Sequence, residues 1–184
     1  ENDAIITGVW VDPLSGINEG NFLGDINNPF LTIDYAMSMI YPTEDNPVTI
    51  NLTAGEFSPN NNNEVIPIIM KSNINLIGQG QEITFIDAED SDNVFELYDI
   101  YGSTISELTI MGGNNSGYGL NGYDFADGMG GGLYISGSTI DIINTTIRDN
   151  TAGYAFSSSG GYGGGLYLLN SSSVLTNVII QNNG

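Results

Sequence analysis

Carboxylates in two short stretches of the sequence could bind a metal ion. Six residues form these two acidic clusters: Asp87, Glu89, Asp90 and Asp92 in the first, and Asp124 and Asp127 in the second. Ca²⁺ takes about six to eight oxygen ligands, which closely spaced carboxylates can supply. The segment DAEDSD nevertheless lacks the glycine and the closing glutamate of an EF-hand loop. Two interpretations therefore stay open, a structural calcium site and a solvated acidic turn.

Aromatic residues are concentrated in two segments rich in Gly, Ser and Asn, at 112–129 and 151–162, each just before a GGGLY sequence. The residues concerned are Tyr118, Tyr123, Phe125, Tyr154, Phe156 and Tyr162. Exposed rings on such a background give a large contact area at low entropic cost, which suits a sugar-stacking or protein-binding surface. The alternative is that the rings fold back and cover the flank of the domain.

Few residues of the chain could act as catalysts. There is no Cys and no His, which excludes cysteine nucleophiles, Ser-His-Asp triads and imidazole zinc sites. The two basic residues are Lys71 and Arg148, and Arg148 follows an apolar residue that should face inward, so we expect it on the surface. Asp141 and Asp149 could form a glycosidase-like carboxylate pair, but nothing in the pattern around them marks a site. We therefore favour a non-catalytic protein over an enzyme.

The net charge of −20 limits the possible partners. Electrostatic repulsion opposes binding to nucleic acid phosphates and to anionic lipid headgroups. No stretch approaches the roughly 18 apolar residues of a membrane span. The abundance of Gly and Asn and the lack of Cys point to an extracellular or cell-surface protein. The sequence begins with Glu and shows no signal peptide, which is typical of a mature or excised segment.

A repeating backbone has to position these residues. GGGLYI at 130–135 returns as GGGLYL at 163–168, and NTTIRDN at 144–150 returns as NVIIQNN at 177–183, both offset by 33 residues. Within each unit, apolar residues alternate over three short runs that turns separate. These turns leave no room for helical crossovers, so each unit should close as one triangular coil stacked on the next. The pattern predicts an all-β protein, a right-handed parallel β-helix.

Asparagine should occupy one corner of each coil. Asn144 and Asn177 lie at equivalent positions between two apolar runs. A left-handed backbone conformation is expected there, and Asn tolerates it. Stacked Asn side chains can also hydrogen-bond to one another as a ladder.

Looser alternation upstream predicts earlier coils and a helical cap. Apolar runs of the same kind lie at 48–53, 65–70, 74–77, 83–86, 94–97, 103–106 and 108–110, and the run at 48–53 should begin the stack. An amphipathic helix is predicted over about 32–41, because apolar residues recur there at helical spacing after Thr32, a suitable N-cap. The helix should cover the open interior of the first coil. The chain thus divides into a cap segment, 1–47, and coils over 48–184.

Nearly the whole chain resembles the pectate-lyase-like right-handed parallel β-helix superfamily. The resemblance rests on the opening VD…G…NPF-TI segment, on INLIGQG, ITFIDAE and ISELTIMGG, and on the two GGGLY units. It is closer still to the β-helix repeat domains of secreted bacterial surface proteins. This superfamily includes lyases, hydrolases, adhesins and inert stalks, so the resemblance implies the fold and leaves the activity open.

The expected function is that of a non-catalytic, secreted or cell-surface module with a structural, adhesive or filament-forming role. The alternatives are a Ca²⁺-dependent polysaccharide lyase or hydrolase, and a carbohydrate-binding module that uses the aromatic segments 112–129 and 151–162. The charge of −20 disfavours the enzyme, because it repels acidic polysaccharides unless cations bridge the two. No cap follows the last coil in the sequence, so self-association through the solenoid ends, head to tail, is also expected.

Overall fold

Short parallel strands make up most of the regular structure. The computed structural model describes residues 7–19, 24–115, 128–153 and 161–184. In chain order, the strands are β1 (Gly8–Val11), β2 (Val48–Leu52), β3 (Gly55–Phe57), β4 (Ile68–Ile69), β5 (Ile74–Ile77), β6 (Thr84–Asp87), β7 (Phe95–Tyr98), β8 (Ser103–Met111), β9 (Asn114–Asn115), β10 (Leu133–Ser136), β11 (Ile140–Arg148), β12 (Thr151–Ala152), β13 (Leu166–Leu169), β14 (Val174–Thr176) and β15 (Ile179–Gln181). The helices are α1 (Ile33–Met39) and α2 (Pro59–Asn62).

These strands form the faces of a right-handed parallel β-helix, as the sequence predicts. In the largest sheet the strand order is β1-β2-β5-β8-β11-β14, with β3, β6 and β15 paired alongside. The second sheet has the order β4-β7-β10-β13, and a third pairs β9 with β12. The pairings between successive coils are parallel.

The predicted 33-residue register is confirmed. Leu133 lies beside Leu166 in the second sheet, and Ile147 lies beside Ile180 in the largest sheet. The column continues upstream through coils of other lengths, since Leu133 also lies beside Phe95. Leu133, Ile147 and Phe95 are fully buried. The alternating apolar residues therefore form one continuous core along the solenoid axis.

The predicted corner and its side-chain ladder are also confirmed. Asn144 (φ 47°) bends β11, Glu107 (φ 58°) bends β8, and Asn177 (φ 51°) lies between β14 and β15. The side-chain amide of Asn177 donates to Oδ1 of Asn144 at 3.0 Å. The Asn144 amide donates in turn to Oε1 of Glu107. The ladder thus satisfies polar groups at a corner whose backbone geometry few residue types adopt.

Helix α1 closes the N-terminal end of the core. Its N-cap is Thr32, whose side-chain oxygen accepts a hydrogen bond from Tyr35 N, as predicted. The helix packs against β1 and β4. Its residues Ile33, Ala36 and Met37 are buried in the same core as the strands. The apolar face predicted from the helical spacing therefore covers the solenoid interior.

Two charged side chains from the coils hold this helix at both ends. The carboxylate of Glu64 accepts hydrogen bonds from the backbone N of Ile33 at 2.8 Å and of Asp34 at 3.0 Å. At the other end, Lys71 Nζ donates to the carbonyl oxygen of Met37 at 2.6 Å. Glu64 is 3% exposed, and burial raises the pKa of its carboxyl although these hydrogen bonds oppose the shift.

The stack begins one strand earlier than predicted. β1 pairs in parallel with β2, and Val9 and Val11 are fully buried, so the run at 48–53 is the second strand of the largest sheet. The other edge of β1 is also occupied, since Phe30 N donates to Trp10 O at 2.9 Å. The sequence did not reveal β1 because only four residues alternate there before Pro13 interrupts them.

The last coil leaves apolar side chains in contact with solvent. Leu168, Leu175 and Ile180 occupy interior positions of β13, β14 and β15, yet they are 42%, 42% and 50% exposed. The first coil differs, because α1 and the segment around Phe30 cover it. Among the residues that the structure describes, no helix is long and apolar enough to cross a membrane.

Candidate functional site

The two aromatic-rich segments are anchored at one corner of the solenoid. Asn115 closes the base of the first segment, where its Oδ1 accepts a hydrogen bond from Gly128 N at 3.1 Å. Gly153, at the base of the second, donates from its backbone N to Asn115 O at 2.7 Å. Tyr162 forms a parallel bridge with Met129. The anchors of both segments therefore lie side by side, as expected for successive coils.

Most of the predicted aromatic contact residues lie outside the described residues. They are Tyr118, Tyr123, Phe125, Tyr154 and Phe156, and the second acidic cluster, Asp124 and Asp127, lies outside as well. Their roles stay predictions. Tyr162 is described, and half of its surface is exposed.

Glycine and buried asparagine explain why the chain folds tightly at this corner. Asn150 is fully buried, and its Oδ1 accepts a hydrogen bond from Gly113 N at 2.9 Å. Its side-chain amide donates to Oδ1 of Asn183, its partner in the 33-residue repeat, at 3.1 Å. A Cβ atom on Gly132 would overlap the carbonyl oxygen of Gly165 in the next coil. The repeated GGG sequence is therefore required by the close approach of successive backbones.

Beside this corner, tyrosine side chains form a row on the outward face of the second sheet. Tyr134 and Tyr167 occupy the same position in successive coils, with ring centroids 5.7 Å apart and planes 17° from parallel. Tyr98 lies 5.4 Å from Tyr134 on one side, and Tyr162 lies 6.4 Å from Tyr167 on the other. Tyr98, Tyr134 and Tyr167 thus come from three successive coils, whose strands are about 4.8 Å apart, and Tyr162 extends the tyrosine row within the last coil.

The tyrosine row is buried in its middle and exposed at its ends. Tyr134 is only 3% exposed, whereas Tyr98 is 38% and Tyr162 is 50% exposed. The carboxylate-bearing residue beside Tyr134 is Glu96 in β7, which is 7% exposed. The central rings therefore hold the row in place, and the end rings offer their surfaces to a ligand.

Sequence reasoning found only one member of this row. Tyr134 and Tyr167 are the tyrosines of the two GGGLY units, so the signal was present in the repeat. A side chain between two inward-facing residues of a strand must point away from the solenoid core. Both rings are therefore expected on the outer face of the second sheet. Tyr98 carries no such signal, because its coil has a different length.

The first acidic cluster lies where β6 ends. Asp87 Oδ1 accepts a hydrogen bond from Glu89 N at 2.8 Å. Burial raises the pKa of the Asp87 carboxyl, and the negative charges of Glu56, Glu89 and Asp90 raise it further. Asp92 instead accepts a hydrogen bond from Asn93 N at 2.8 Å. The four predicted ligands thus lie near one another in the chain, but two of them, Asp87 and Asp92, already accept hydrogen bonds from neighbouring backbone groups.

The geometry of this cluster does not form a cation cage. In the described part of the chain, no three acidic side chains converge on a point where a metal ion could be held. Calcium at Asp87, Glu89, Asp90 and Asp92 therefore stays a prediction.

Both basic side chains are engaged in local contacts. Lys71 Nζ donates to the carbonyl oxygen of Met37 at the end of α1. Arg148 points away from the core, as predicted, and forms an ion pair with Asp149.

Comparisons with known proteins support the fold. The sequence model of a family described as "Protein of unknown function (DUF1565)" matches residues 15–152. No curated protein sequence matches the chain. A solved pectin methylesterase mutant in complex with a hexasaccharide is 14% identical, with a TM-score of 0.56, over 94% of this chain and 48% of the enzyme. Pectin methylesterase PemA from Erwinia chrysanthemi is 13% identical, with a TM-score of 0.55 and the same coverage.

The chain therefore spans about half the length of these enzymes. At such low identity, the likeness concerns the parallel β-helix and does not transfer active-site residues.

Proposed function

The chain belongs to the family of proteins of unknown function DUF1565, and we propose that this member is a non-catalytic β-helix module that binds polysaccharide outside the cell. The observation that carries the proposal is the tyrosine row. Its exposed ends, Tyr98 and Tyr162, present rigid rings with a polar hydroxyl tip, which suit the apolar faces and hydroxyl groups of sugars. The anchors of two further aromatic-rich segments lie beside it.

The lack of suitable catalytic groups supports a binding role rather than turnover. The chain has no Cys and no His, and its two bases are held by Met37 O and by Asp149. The lyase alternative needs a basic side chain placed beside bound calcium. The hydrolase alternative needs two carboxylates on either side of a sugar, whereas the first acidic cluster lies in a turn.

The structural neighbours support polysaccharide as the partner class. One of them is a pectin methylesterase solved with a hexasaccharide, so a similar coil architecture can present a surface to a sugar chain. A module exposed to such polysaccharides would be secreted or displayed at the cell surface. The adhesive role follows if binding at the tyrosine row attaches the module to them.

A filament-forming role is a second candidate, and the exposed interior residues of the last coil favour it. Leu168, Leu175 and Ile180 would be buried if another coil stacked on them. Because Phe30 already occupies the edge of β1, head-to-tail stacking would require its displacement. Sedimentation velocity over a range of concentrations tests this role, and a monomer at all concentrations would exclude it.

Affinity electrophoresis in gels containing single polysaccharides tests the binding function. We expect at least one polysaccharide to retard the wild-type protein and the Tyr98→Ala/Tyr162→Ala variant to lose this retardation. Tyr41→Ala is the matched control, because Tyr41 is 88% exposed and is not part of the row. Equal retardation of the double variant and the wild type would exclude the tyrosine row as the site.

A second assay tests the absence of catalysis. Wild-type protein is incubated with pectin and polygalacturonate, with calcium and with chelator, and the release of methanol, reducing ends and unsaturated products is measured. We expect none of these products above background. Reproducible product formation that follows the purified protein would show that the enzyme alternative is correct.

A further inference from the structure

We infer that the ligand of the tyrosine row is a neutral polysaccharide long enough to contact Tyr98 and Tyr162 together. This inference rests on the proposed carbohydrate-binding function and adds the chemical class and the minimum length of the ligand.

The charge of the whole chain opposes an acidic ligand. The sequence has 2 basic and 22 acidic residues. Binding of a polyanion requires positive groups to offset its charge, and both candidates are engaged in contacts of their own, Lys71 with the end of α1 and Arg148 with Asp149. A uronate chain would therefore meet repulsion with no compensating contact.

The residues near the tyrosine row also disfavour an acidic ligand. The acidic residue Glu96 lies beside Tyr134 in the sheet and is 7% exposed. From residue 150 to residue 184 the sequence contains no charged side chain, and this stretch includes Tyr162 and Tyr167. The outward positions next to the row, such as Ser136 and Leu169, are uncharged. The strands that carry the row, β7, β10 and β13, contain no basic residue, so an acidic sugar would find no cationic partner there, whereas sugar hydroxyls need none.

The spacing of the rings sets the length of the ligand. The distances of 5.4 and 5.7 Å join rings of successive coils, whereas the distance of 6.4 Å joins Tyr162 and Tyr167 within the last coil. The exposed ends are Tyr98, in β7, and Tyr162, which precedes β13. These two strands are two strand spacings apart, or about 10 Å. One sugar ring cannot contact both ends, whereas an oligosaccharide laid along the row can. Affinity should therefore increase with chain length.

Isothermal titration calorimetry with hexasaccharides of one length tests the charge class. The probes are neutral hexaoses of glucose, mannose and xylose, together with hexagalacturonate and its fully methyl-esterified form, which is a neutral molecule with the same backbone. At low salt, we expect at least one neutral probe to bind about tenfold or more tightly than hexagalacturonate. The esterified form should bind more tightly than the free acid, and added salt should narrow that gap.

Two further measurements sharpen the test. Glu96→Gln keeps the shape of the side chain and removes its ionisable group. It should therefore reduce the difference in affinity between hexagalacturonate and its methyl-esterified form. A disaccharide of the best sugar should bind at least about tenfold more weakly than the hexasaccharide, because it reaches only one exposed ring. If Glu96→Gln does not fold, the salt series on the wild-type protein still measures the effect of charge.

The possible failures are distinguishable. Hexagalacturonate binding as tightly as every neutral probe, in a manner that depends on Tyr98 and Tyr162, would overturn the charge class and leave the binding function intact. Equal affinity of disaccharide and hexasaccharide would overturn the simultaneous contact with Tyr98 and Tyr162. The absence of binding by any hexasaccharide would overturn the binding function and this inference with it.

Discussion

The last two coils repeat one another residue by residue, whereas the coils near the N-terminus differ in length and are joined by individual side chains. In the regular region, the Asn144 and Asn177 amides form one ladder and the GGG sequences pack on one another. In the irregular region, Glu64 and Lys71 each make contacts that recur in no other coil among the described residues. Coils of the same length can repeat the same contacts. A helix that packs on a stack of strands is instead held by individual side-chain contacts.

Charge sets the last coil apart from the rest of the chain. Every charged residue of the chain lies at or before Asp149, and the last coil has none. The irregular region also covers its end of the core, while the regular region exposes Leu168 and Ile180 at interior positions. Five predictions test this contrast, and they are given from the largest expected effect to the smallest.

Ile147→Asp should unfold the domain, whereas Ile180→Asp should be tolerated far better. The two residues are paired in register, but Ile147 is fully buried and Ile180 is 50% exposed. An unpaired charge in the core costs about 3–5 kcal/mol, and half-exposure reduces that cost because water remains available. Urea denaturation midpoints measure both effects. Equal losses would show that the last coil is covered in solution.

Gly132→Ala should destabilise the domain by about 2–3 kcal/mol, because its Cβ would overlap the backbone of the next coil. Gly8→Ala in β1 is the matched control, since a Cβ there would lie 3.4 Å from the nearest atom, Thr49 O. Thermal and urea unfolding of the two variants provide the comparison. A similar loss in both would contradict the tight corner described for the GGG sequences.

Glu64→Ala should weaken the attachment of α1 by about 1–2 kcal/mol. The variant leaves the backbone N–H groups of Ile33 and Asp34 without their acceptor. The loss of these two hydrogen bonds destabilises the protein more than the removal of a buried carboxylate stabilises it. Hydrogen exchange should become faster in α1 and stay unchanged in β11. Glu82→Ala, at an exposed position, is the control. Faster exchange throughout the domain would mean that the helix and the coils unfold together.

Mild acidification should stabilise the protein. Burial raises the pKa of Glu64 and of Asp87 in the folded state. At neutral pH the charged form of each carboxyl therefore has a free-energy cost in the folded protein that is absent in the unfolded chain. That cost is relieved as the pH falls from neutral through the folded-state pKa towards the lower unfolded-state pKa, so the melting temperature should rise over this range. Glu64→Gln should show a smaller rise. A melting temperature that falls over this range would contradict the predicted sign.

Calcium at the first acidic cluster should have the smallest effect. If Asp87, Glu89, Asp90 and Asp92 bind the ion, millimolar calcium should raise the melting temperature by a few degrees, because it binds only the folded state. Asp90→Asn should remove that increase. Identical melting curves in calcium and in chelator would leave the cluster as a solvated acidic turn.

The sequence predicted those features that repeat or that follow a local rule. The register of Leu133 with Leu166, the left-handed corner at Asn144 and the N-cap at Thr32 each follow from spacing and residue type alone. The joining of α1 to the coils by Glu64 was not predictable, because the partner lies 31 residues away without any periodic relation.

The candidate site was predicted in part for the same reason. Both GGGLY tyrosines were visible as a repeat, and Tyr162 was singled out by its surroundings. The row as a surface also needs Tyr98, whose ring meets Tyr134 only after coils of different length have stacked. The spacing of residues in the sequence predicts neighbours within one coil or between coils of equal length. It does not predict which side chains meet when coils of different length stack.

The closed bases of the two aromatic-rich segments have a consequence for engineering. At the first segment, the side chain of Asn115 ties together the points where the chain leaves the solenoid and returns to it, since Gly128 N donates to its Oδ1. The two ends of this segment are therefore joined by a contact of their own. A foreign peptide in place of residues 116–127 would begin and end at two points that are already held together. The domain could in this way serve as a display scaffold with a grafting position already built into its backbone.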